Sequence, residues 1–300
     1  MNGLPQLFLI GAPKCGTTSL AAWLASHPAI VLSNPKEPNY YAPDITAVRA
    51  ADSRARYLRL FAPTAPGQIR VDASTTYLRS RVAAARIRAD IPQARFVVCL
   101  RNPIEMAPSV HAQLVRAGRE PIPDFELAWR MQARRRQLRN TRMSHHNPAD
   151  WQYAQMCRLG AQVAALLRVV PRDRVRFVFL EDLAAQPAWV YARVLGFAGL
   201  EDDGRQDFPA ENTRRVPRVV PLARASHLAG SLRQRLGLAH GTGLGARVNR
   251  LNERRPAAAD RRLASGLTRE LADTFRQDIH QLARLTGRNL DHWLSREAGQ

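Results

Sequence analysis

Residues 7–20 read LFLIGAPKCGTTSL and decide the fold. The apolar run predicts a buried strand at Leu7–Gly11, and the residues that follow the turn predict a helix at Ser19–Ser26. A glycine-bearing turn that opens a helix presents backbone N–H groups and the positive helix end to an anion. The alternative is a tight, capped turn without a ligand. The candidate phosphate-binding residues are Lys14, Cys15, Gly16, Thr17, Thr18 and Ser19.

This loop differs from the loop of ATP- and GTP-binding proteins. Their pattern, GxxxxGK[ST], places a lysine directly after the second glycine, whereas Thr17 stands there and the lysine is Lys14. Asp72, at the end of a predicted strand, is only an imperfect candidate for the acidic residue that would hold a metal ion. A sulfuryl group carries less charge than a terminal phosphoryl group, so one lysine can serve where a metal would otherwise be needed. We therefore expect the loop to bind a 5′-phosphosulfate without a metal ion.

Short apolar runs and helix-period stretches alternate along the chain. This alternation predicts an α/β fold in which helices flank a parallel β-sheet. Together with the anion-binding turn after the first strand, it predicts a P-loop-like nucleotide-binding fold. We expect one domain over residues 1–300, with loop or cover segments at 118–150 and 202–256 and amphipathic helices within 257–293. The predicted strands are Leu7–Gly11, Ile30–Ser33, Ile69–Asp72, Arg95–Leu100 and Val175–Leu180, and further predicted helices are Arg79–Asp90 and Ala161–Val170.

The chain is strongly basic, with 45 Lys and Arg against 25 Asp and Glu and a formal charge of +20. Such a charge favours an anionic partner. The aromatic and basic residues do not interleave as in nucleic-acid binders, and no apolar run reaches the roughly 18 residues of a membrane span. We therefore expect neither nucleic acid nor a membrane span. Three cysteines without CxxC spacing, and no signal-peptide pattern, predict a cytoplasmic protein.

Six segments resemble, in order, motifs of the sulfotransferase family. The likeness is to the heparan-type carbohydrate sulfotransferases and their bacterial relatives. It implies an enzyme that transfers a sulfuryl group from 3′-phosphoadenosine 5′-phosphosulfate (PAPS) to a hydroxyl or amine of an acceptor. The segments are PKCGTTSL (13–20), KEPNYY (36–41), VDASTTYL (71–78), FVVCLRNPIEMAPS (96–109), FVFLEDL (177–183) and GRNLDHW (287–293).

Arg101 directly follows the strongly apolar run ARFVVCL. A guanidinium at the carboxyl end of a strand can donate two parallel hydrogen bonds to a phosphate, a geometry that arginine provides and lysine does not. Pro103 is placed to begin a helix, whereas Pro108 predicts a later start. The resemblance implies that Arg101 and Ser109 hold the 3′-phosphate of PAPS. It also implies that Arg254 and Arg255 belong to a basic loop that closes over the nucleotide.

Lys36 and Glu37 follow the second predicted strand. Transfer to a hydroxyl or amine needs a base that takes the proton of the acceptor, and the resemblance implies that Glu37 is this base. Lys14 would neutralise charge on the leaving oxygen, and Lys36 would orient Glu37 or contact the sulfuryl group. The alternatives are an ordinary Lys–Glu surface pair, or a histidine base, for which His27 and His111 are the candidates.

Two other functions stay open at this point. One is a nucleoside-triphosphate kinase or ATPase with an aberrant loop, and the other is a non-enzymatic basic protein that binds polyanions. For a sulfotransferase, we expect a carbohydrate or another small metabolite as the acceptor, with a lipid or peptide also open.

Overall fold

The computed structural model describes residues 3–45, 50–137, 148–209, 216–217, 253–254 and 263–295. The chain forms two compact units. The first comprises Met1–Asn102, Arg158–Asn212 and Gln277–Leu290, and the second comprises Pro103–Cys157, Thr213–Arg276 and Asp291–Gln300. A single domain over residues 1–300 stays a prediction.

The described strands and helices follow the chain in regular alternation through the first unit. The strands are β1 (Leu7–Gly11), β2 (Ile30–Leu32), β3 (Ile69–Asp72), β4 (Arg95–Leu100), β5 (Val175–Phe179), β6 (Val216–Pro217) and β7 (Glu253–Arg254). The helices are α1 (Thr17–Ala25), α2 (Arg54–Leu58), α3 (Ala83–Asp90), α4 (Pro103–Arg116), α5 (Phe125–Arg130), α6 (Gln132–Gln137), α7 (Tyr153–Met156), α8 (Leu159–Leu167), α9 (Leu180–Ala185), α10 (Pro187–Ala198), α11 (Ser265–Thr286) and α12 (His292–Ser295).

A parallel sheet in the order β2-β3-β1-β4-β5 forms the centre of the first unit. Every residue of β1 and all but the first residue of β4 are buried, as expected for apolar strands covered on both faces. Phe8 and Phe96 lie opposite each other in register, and their rings stack with centroids 5.8 Å apart. The structure thus confirms the predicted α/β fold with its parallel sheet.

Helix α3 begins four residues later than the predicted Arg79–Asp90. Residues Tyr77–Arg79 form a short 3-10 helix instead. The hydroxyl of Ser80 then accepts hydrogen bonds from the amides of Val82 and Ala83, at 3.2 and 3.0 Å. The amide of Ala83, the first residue of α3, thus has a hydroxyl partner in the turn before the helix.

Helix α4 of the second unit begins at Pro103 and contains Pro108. The predicted later start is therefore wrong. Proline has the φ angle that the first helical turn requires, so Pro103 begins the helix. The missing amide of Pro108 costs one helical hydrogen bond without ending the helix.

The segment 118–150 is partly helical where the sequence predicted loop or cover, because α5 and α6 lie within it. Arg135 donates to both carboxylate oxygens of Glu120, at 2.7 and 2.8 Å, and the Tyr153 hydroxyl donates to the same group. Glu120 and Arg135 are 0% and 6% exposed, so the pair belongs to the interior of the second unit. Residues 138–147 lie outside the described ranges.

Within the segment 202–256, residues 202–209 form neither helix nor strand, and β6 pairs with β7 in antiparallel fashion. The remainder of that segment lies outside the described residues. Among the helices that are described, none is long and apolar enough to cross a membrane.

Candidate active site

The carboxyl ends of the parallel strands bring three predicted loops to one edge of the sheet. Lys14 follows β1, Glu37 follows β2, and Arg101 directly follows β4. Strands β1 and β4 are neighbours, but the chain leaves β1 toward β2 on one side and leaves β4 toward β5 on the other. Ligands of open α/β sheets bind at such a reversal of strand order. Lys14 and Arg101 therefore lie where the fold favours a ligand.

The loop between β1 and α1 has the backbone shape of an anion-binding turn. Both Lys14 and Gly16 have positive φ, at 66° and 84°. Helix α1 begins at Thr17 without a side-chain cap and without an acidic residue in its first turn. No carboxylate of that turn competes for the positive helix end, so the loop suits an anion. Alanine at Gly16 would require the Leu183 side chain to shift, because its Cβ would lie 2.5 Å from Cδ2 of Leu183.

The hydroxyl residues of the loop are largely covered by the protein: the side chains of Thr17 and Ser19 are buried, and Thr18 is half-buried. Cys15 is fully buried, and its amide donates to the carbonyl of Ala12 at 3.3 Å. Burial raises the pKa of the Cys15 thiol to about 12, so the thiol is neutral near pH 7 and packs like a small apolar group. That these residues contact a nucleotide stays a prediction.

Arg101 is tied to the phosphate loop itself. Its Nη1 donates to the carbonyl of Lys14 at 3.2 Å, and the amide of Ala12 donates to the carbonyl of Cys99 at 2.7 Å. The loop is therefore bonded to the end of β4 at two places. These bonds bring Arg101 and Lys14, which are 87 positions apart in sequence, to the same loop.

Glu37 has a defined partner at each carboxylate oxygen. Lys36 Nζ lies 3.0 Å from Oε1, and the Thr75 hydroxyl donates to Oε2 at 3.2 Å. The side chains of Lys36 and Glu37 are 25% and 36% exposed, so the pair is half-buried and not fully solvated. A carboxylate held from both sides has a fixed orientation, which a proton acceptor in a site requires.

A chain of hydrogen bonds joins the Glu37 loop to β3. The side-chain amide of Asn39 donates to the Glu37 carbonyl at 2.9 Å, and the Asn39 backbone amide donates to the Ser74 hydroxyl at 3.1 Å. Ser74 in turn donates to Oδ1 of Asp72 at 2.7 Å. Asp72 is 0% exposed. The end of β3 thus supports the loop that follows β2.

Asp72 is the centre of this support and not an open ligand. Its Oδ2 accepts hydrogen bonds from the hydroxyls of Tyr57 and Tyr77, at 2.6 and 2.8 Å. Burial raises its pKa to about 6, although the hydrogen bonds from Tyr57, Ser74 and Tyr77 act in the opposite direction. Three donors occupy the two oxygens, so Asp72 is engaged in structure and does not resemble the metal-holding acid of a triphosphate site.

Left-handed backbone marks the same two loops. Among the described non-glycine residues, those with positive φ are Lys14, Glu37 and Asn39, at 66°, 63° and 54°. Asparagine tolerates this region, whereas lysine and glutamate are uncommon there. Such strained residues cost about 1–3 kcal/mol each and cluster at functional sites. The two residues that the sequence analysis selected for charge stabilisation and proton transfer are the two unusual ones.

The other predicted residues belong to the second unit or lie outside the described residues. Ser109 lies on α4 in the second unit and is 5% exposed. Arg254 lies on β7 opposite Val216, its side chain is outside the described set, and Arg255 is outside the described residues altogether. Their contacts with a nucleotide stay predictions.

Both histidine alternatives are engaged in local structure. The Nδ1 of His27 accepts from the amide of Ala29 at 3.0 Å, and its Nε2 lies 3.2 Å from the carbonyl of Glu201. The Nε2 of His111 lies 2.9 Å from the carbonyl of Ile122 in the second unit. Burial lowers the pKa of His111, as expected for a neutral core histidine.

Sequence reasoning missed the supporting residues, of which Thr75 is the most direct. The cluster of hydroxyl residues at 74–76, directly after a predicted strand, was the available signal. It did not reveal which hydroxyl reaches Glu37, because that contact spans 38 positions.

Comparison with known proteins agrees with this geometry. The family model for the sulfotransferase domain matches residues 4–219, which include both loops and Arg101. The chain belongs to the sulfotransferase family. This confirms the family predicted from the ordered motifs, and the kinase alternative is not supported.

Individual relatives make the likeness more specific. The chain is 30% identical over 199 residues to mouse heparan sulfate glucosamine 3-O-sulfotransferase 3B1, covering 66% of this chain and 47% of that protein. It is 31% identical over 201 residues to human heparan sulfate glucosamine 3-O-sulfotransferase 6, covering 66% and 53%. The chain spans about half the length of these curated relatives. The crystal structure of a sulfotransferase from Alicyclobacillus acidocaldarius aligns over 97% of this chain and 98% of that one, with 24% identity and a TM-score of 0.71, and so has the same fold.

A cytoplasmic location stays a prediction.

Proposed function

We propose that this protein transfers a sulfuryl group from PAPS to a hydroxyl group of a carbohydrate. The observation that carries the proposal is the left-handed backbone at Lys14 and Glu37, on two loops at the same edge of the sheet. Strain of this kind persists only where the surroundings enforce it. Here the enforced residues are a cation suited to the leaving group and a carboxylate suited to the acceptor.

On the donor side, the amides at the start of α1 would bind the 5′-phosphate, assisted by the hydroxyls of Thr17, Thr18 and Ser19. The ammonium of Lys14 would neutralise charge on the oxygen that joins sulfur to the nucleotide. Arg101, bonded to the Lys14 carbonyl, would bind the 3′-phosphate. Ser109, Arg254 and Arg255 complete the proposed donor contacts.

On the acceptor side, Glu37 would take the hydroxyl proton while the acceptor oxygen forms a bond to sulfur. The bond between sulfur and the bridging oxygen breaks in the same in-line displacement, and adenosine 3′,5′-bisphosphate leaves. Lys36 and Thr75 hold the carboxylate in place, so its orientation does not have to be set during the reaction. The protein supplies positioning and charge, which dominate transfers of this kind.

Two observations support a carbohydrate acceptor, and a third supports a metal-independent reaction. The relatives named above act on heparan sulfate glucosamine, and the formal charge of +20 favours an acidic chain. Asp72 already accepts three hydrogen bonds, so we propose that Lys14, and not a divalent ion, balances the charge of the donor.

The test is transfer of label from radiolabelled PAPS to a panel of oligosaccharides in buffer containing a metal chelator. Glu37→Gln should lower kcat by about 10²–10⁴-fold, the usual contribution of a base, with donor affinity retained. Lys14→Ala should also abolish transfer. Arg101→Ala should weaken binding of adenosine 3′,5′-bisphosphate by about tenfold or more, since charge-assisted bonds to phosphate are strong.

Glu201→Gln is the matched control, because this carboxylate is exposed and lies outside both loops. It should leave transfer unchanged. Full activity of Glu37→Gln would place the base elsewhere. Calorimetry that finds Mg–ATP bound more tightly than adenosine 3′,5′-bisphosphate would reject the proposal in favour of a kinase or ATPase.

A further inference from the structure

A groove of about 220 Å³ lies beside β5, the last strand in the sheet order, within the first unit. Strand β5, helix α10 and the end of α11 form its walls. It shares no residue with the phosphate loop or with the Glu37 loop. The groove is lined by Arg172, Val175, Arg176, Phe177, Val178, Phe179, Asp182, Trp189, Val190, Arg193, Val194, Thr286 and Arg288.

Three arginines give this groove positive charge that the described residues do not neutralise. No carboxylate of the described chain pairs with Arg172, Arg176 or Arg193. Arg288 differs, because it pairs with both Asp182 and Glu181. The one acidic residue of the lining, Asp182, is therefore already engaged. The groove keeps a net positive charge that complements an anion.

The three guanidinium groups are held in place by aromatic rings. Arg172 lies over Phe177 at 4.7 Å, Arg176 over Phe197 at 5.4 Å, and Arg193 over Trp189 at 4.8 Å. Cation–π contacts orient a guanidinium plane while leaving its N–H edge able to form hydrogen bonds. One such group is already used, because Nη1 of Arg172 donates to the carbonyl of Val175 at 2.8 Å. The groove thus presents oriented donors instead of flexible surface charges.

The arginines also act on one another. Burial lowers the pKa of Arg176, and the nearby charges of Arg193 and Arg172 lower it further. Three like charges beside one groove repel, and a bound anion would relieve that repulsion. The same arrangement without a ligand is unfavourable, which is consistent with a binding role.

The shape of the groove favours an acidic sugar chain over nucleic acid. Bases bind by stacking on aromatic faces. Of the rings that line the groove, Phe177 and Trp189 each have a guanidinium over one face, which leaves at most the opposite face for stacking. Ligand pockets for small molecules usually exceed about 300 Å³, so this smaller space suits one unit of a chain that continues outside it. Trp189, 52% exposed, forms a rim along which such a chain can continue.

We propose that this groove binds a segment of an oligosaccharide carrying sulfate or carboxylate groups, as a second anion site of the protein. Arg172, Arg176 and Arg193 donate to the acidic groups, since planar guanidinium groups match them in geometry. The proposal depends on the groove and not on sulfuryl transfer, so a failure of one does not imply failure of the other.

The experiment measures binding of a heparin-derived hexasaccharide by calorimetry, in the presence of saturating adenosine 3′,5′-bisphosphate. The double variant Arg176→Gln/Arg193→Gln should bind at least about tenfold more weakly than the wild type, because two charge-assisted contacts are lost. The matched control is Arg81→Gln/Arg86→Gln, which removes the same charge from exposed positions before and on α3. It should lose less than about twofold.

Equal losses in the two double variants would overturn the proposal, since binding would then follow total charge alone. A larger loss for a thymidine oligonucleotide than for the hexasaccharide would also overturn it, in favour of nucleic acid. Hydrogen exchange locates the contact independently: the hexasaccharide should protect residues 172–179 and 187–194. Protection confined to other segments would contradict the proposed site, whatever the transfer activity of the protein.

Discussion

Replacing Gly16 by alanine should destabilise the protein through two separate effects at the phosphate loop. The residue has φ 84°, and an L-residue in left-handed backbone costs about 1–2 kcal/mol. The added Cβ would also lie 2.5 Å from Leu183 Cδ2 and 3.0 Å from Leu180 Cδ1. Forcing a methyl group into a packed site costs about 1–3 kcal/mol. We expect a cost in the lower half of this range, because the ends of the two leucine side chains can shift. We expect a loss of about 2–4 kcal/mol in the free energy of unfolding.

Urea denaturation, followed by tryptophan fluorescence, measures this loss. Gly67→Ala is the matched control, because Gly67 has φ 83° and nothing within 4 Å of an added Cβ. It carries the backbone cost alone, about 1–2 kcal/mol. If the two variants lose the same stability, the contacts with Leu183 and Leu180 do not restrict the loop. In that case the steric argument for glycine at this position is refuted.

Three further predictions follow from the supporting contacts. Thr75→Val removes the 3.2 Å hydrogen bond to Glu37. It should lower kcat several-fold, which corresponds to roughly 1 kcal/mol, without changing the affinity for the sulfuryl donor. An unchanged kcat would show that Thr75 does not hold the Glu37 carboxylate in place. The pKa of Asp72 is raised to about 6, so its contribution to stability is lost as pH rises through that value. The free energy of unfolding of the wild type should therefore exceed that of Asp72→Asn by less at pH 7.5 than at pH 4.5, as measured by denaturation. If this difference increases with pH instead, the assigned direction of the pKa shift is wrong. Asp278 accepts hydrogen bonds from two amides at the start of α8, at 2.8 and 2.9 Å, so Asp278→Ala should cost about 0.5–2 kcal/mol of stability. Asp273→Ala, at an exposed position bonded to an arginine on the same helix, is the control, and an equal loss there would rule out capping.

The sheet was largely predictable because its strands are nearly continuous apolar runs. All five predicted strands agree with the structure to within one residue at their ends, and β1, β3 and β4 agree at both ends. Helix starts were less predictable, because they depend on individual polar contacts. The Ser80 hydroxyl accepts a hydrogen bond from the amide of Ala83, the first residue of α3. Helix α4 begins at Pro103 although Pro108 lies within it.

The residues of the candidate site were predictable where the proposed chemistry requires a particular kind of side chain, such as a lysine, a carboxylate or an arginine. Lys14, Glu37 and Arg101 all lie at the ends of predicted strands, where loop chemistry is readable from sequence. The burial of Asp72 and the contact of Thr75 with Glu37 were not predictable. Both depend on how the loops after β2 and β3 pack together, which no local pattern records.

Glu37 is anchored through Asn39 and Ser74 to the end of β3. The proposed base therefore moves with the central sheet and not with the exposed surface. Surface segments can then diverge, and new acceptors can be acquired, while the proton-accepting group keeps its distance from the leaving group. A scaffold arranged in this way can change its substrate in evolution without rebuilding its reaction.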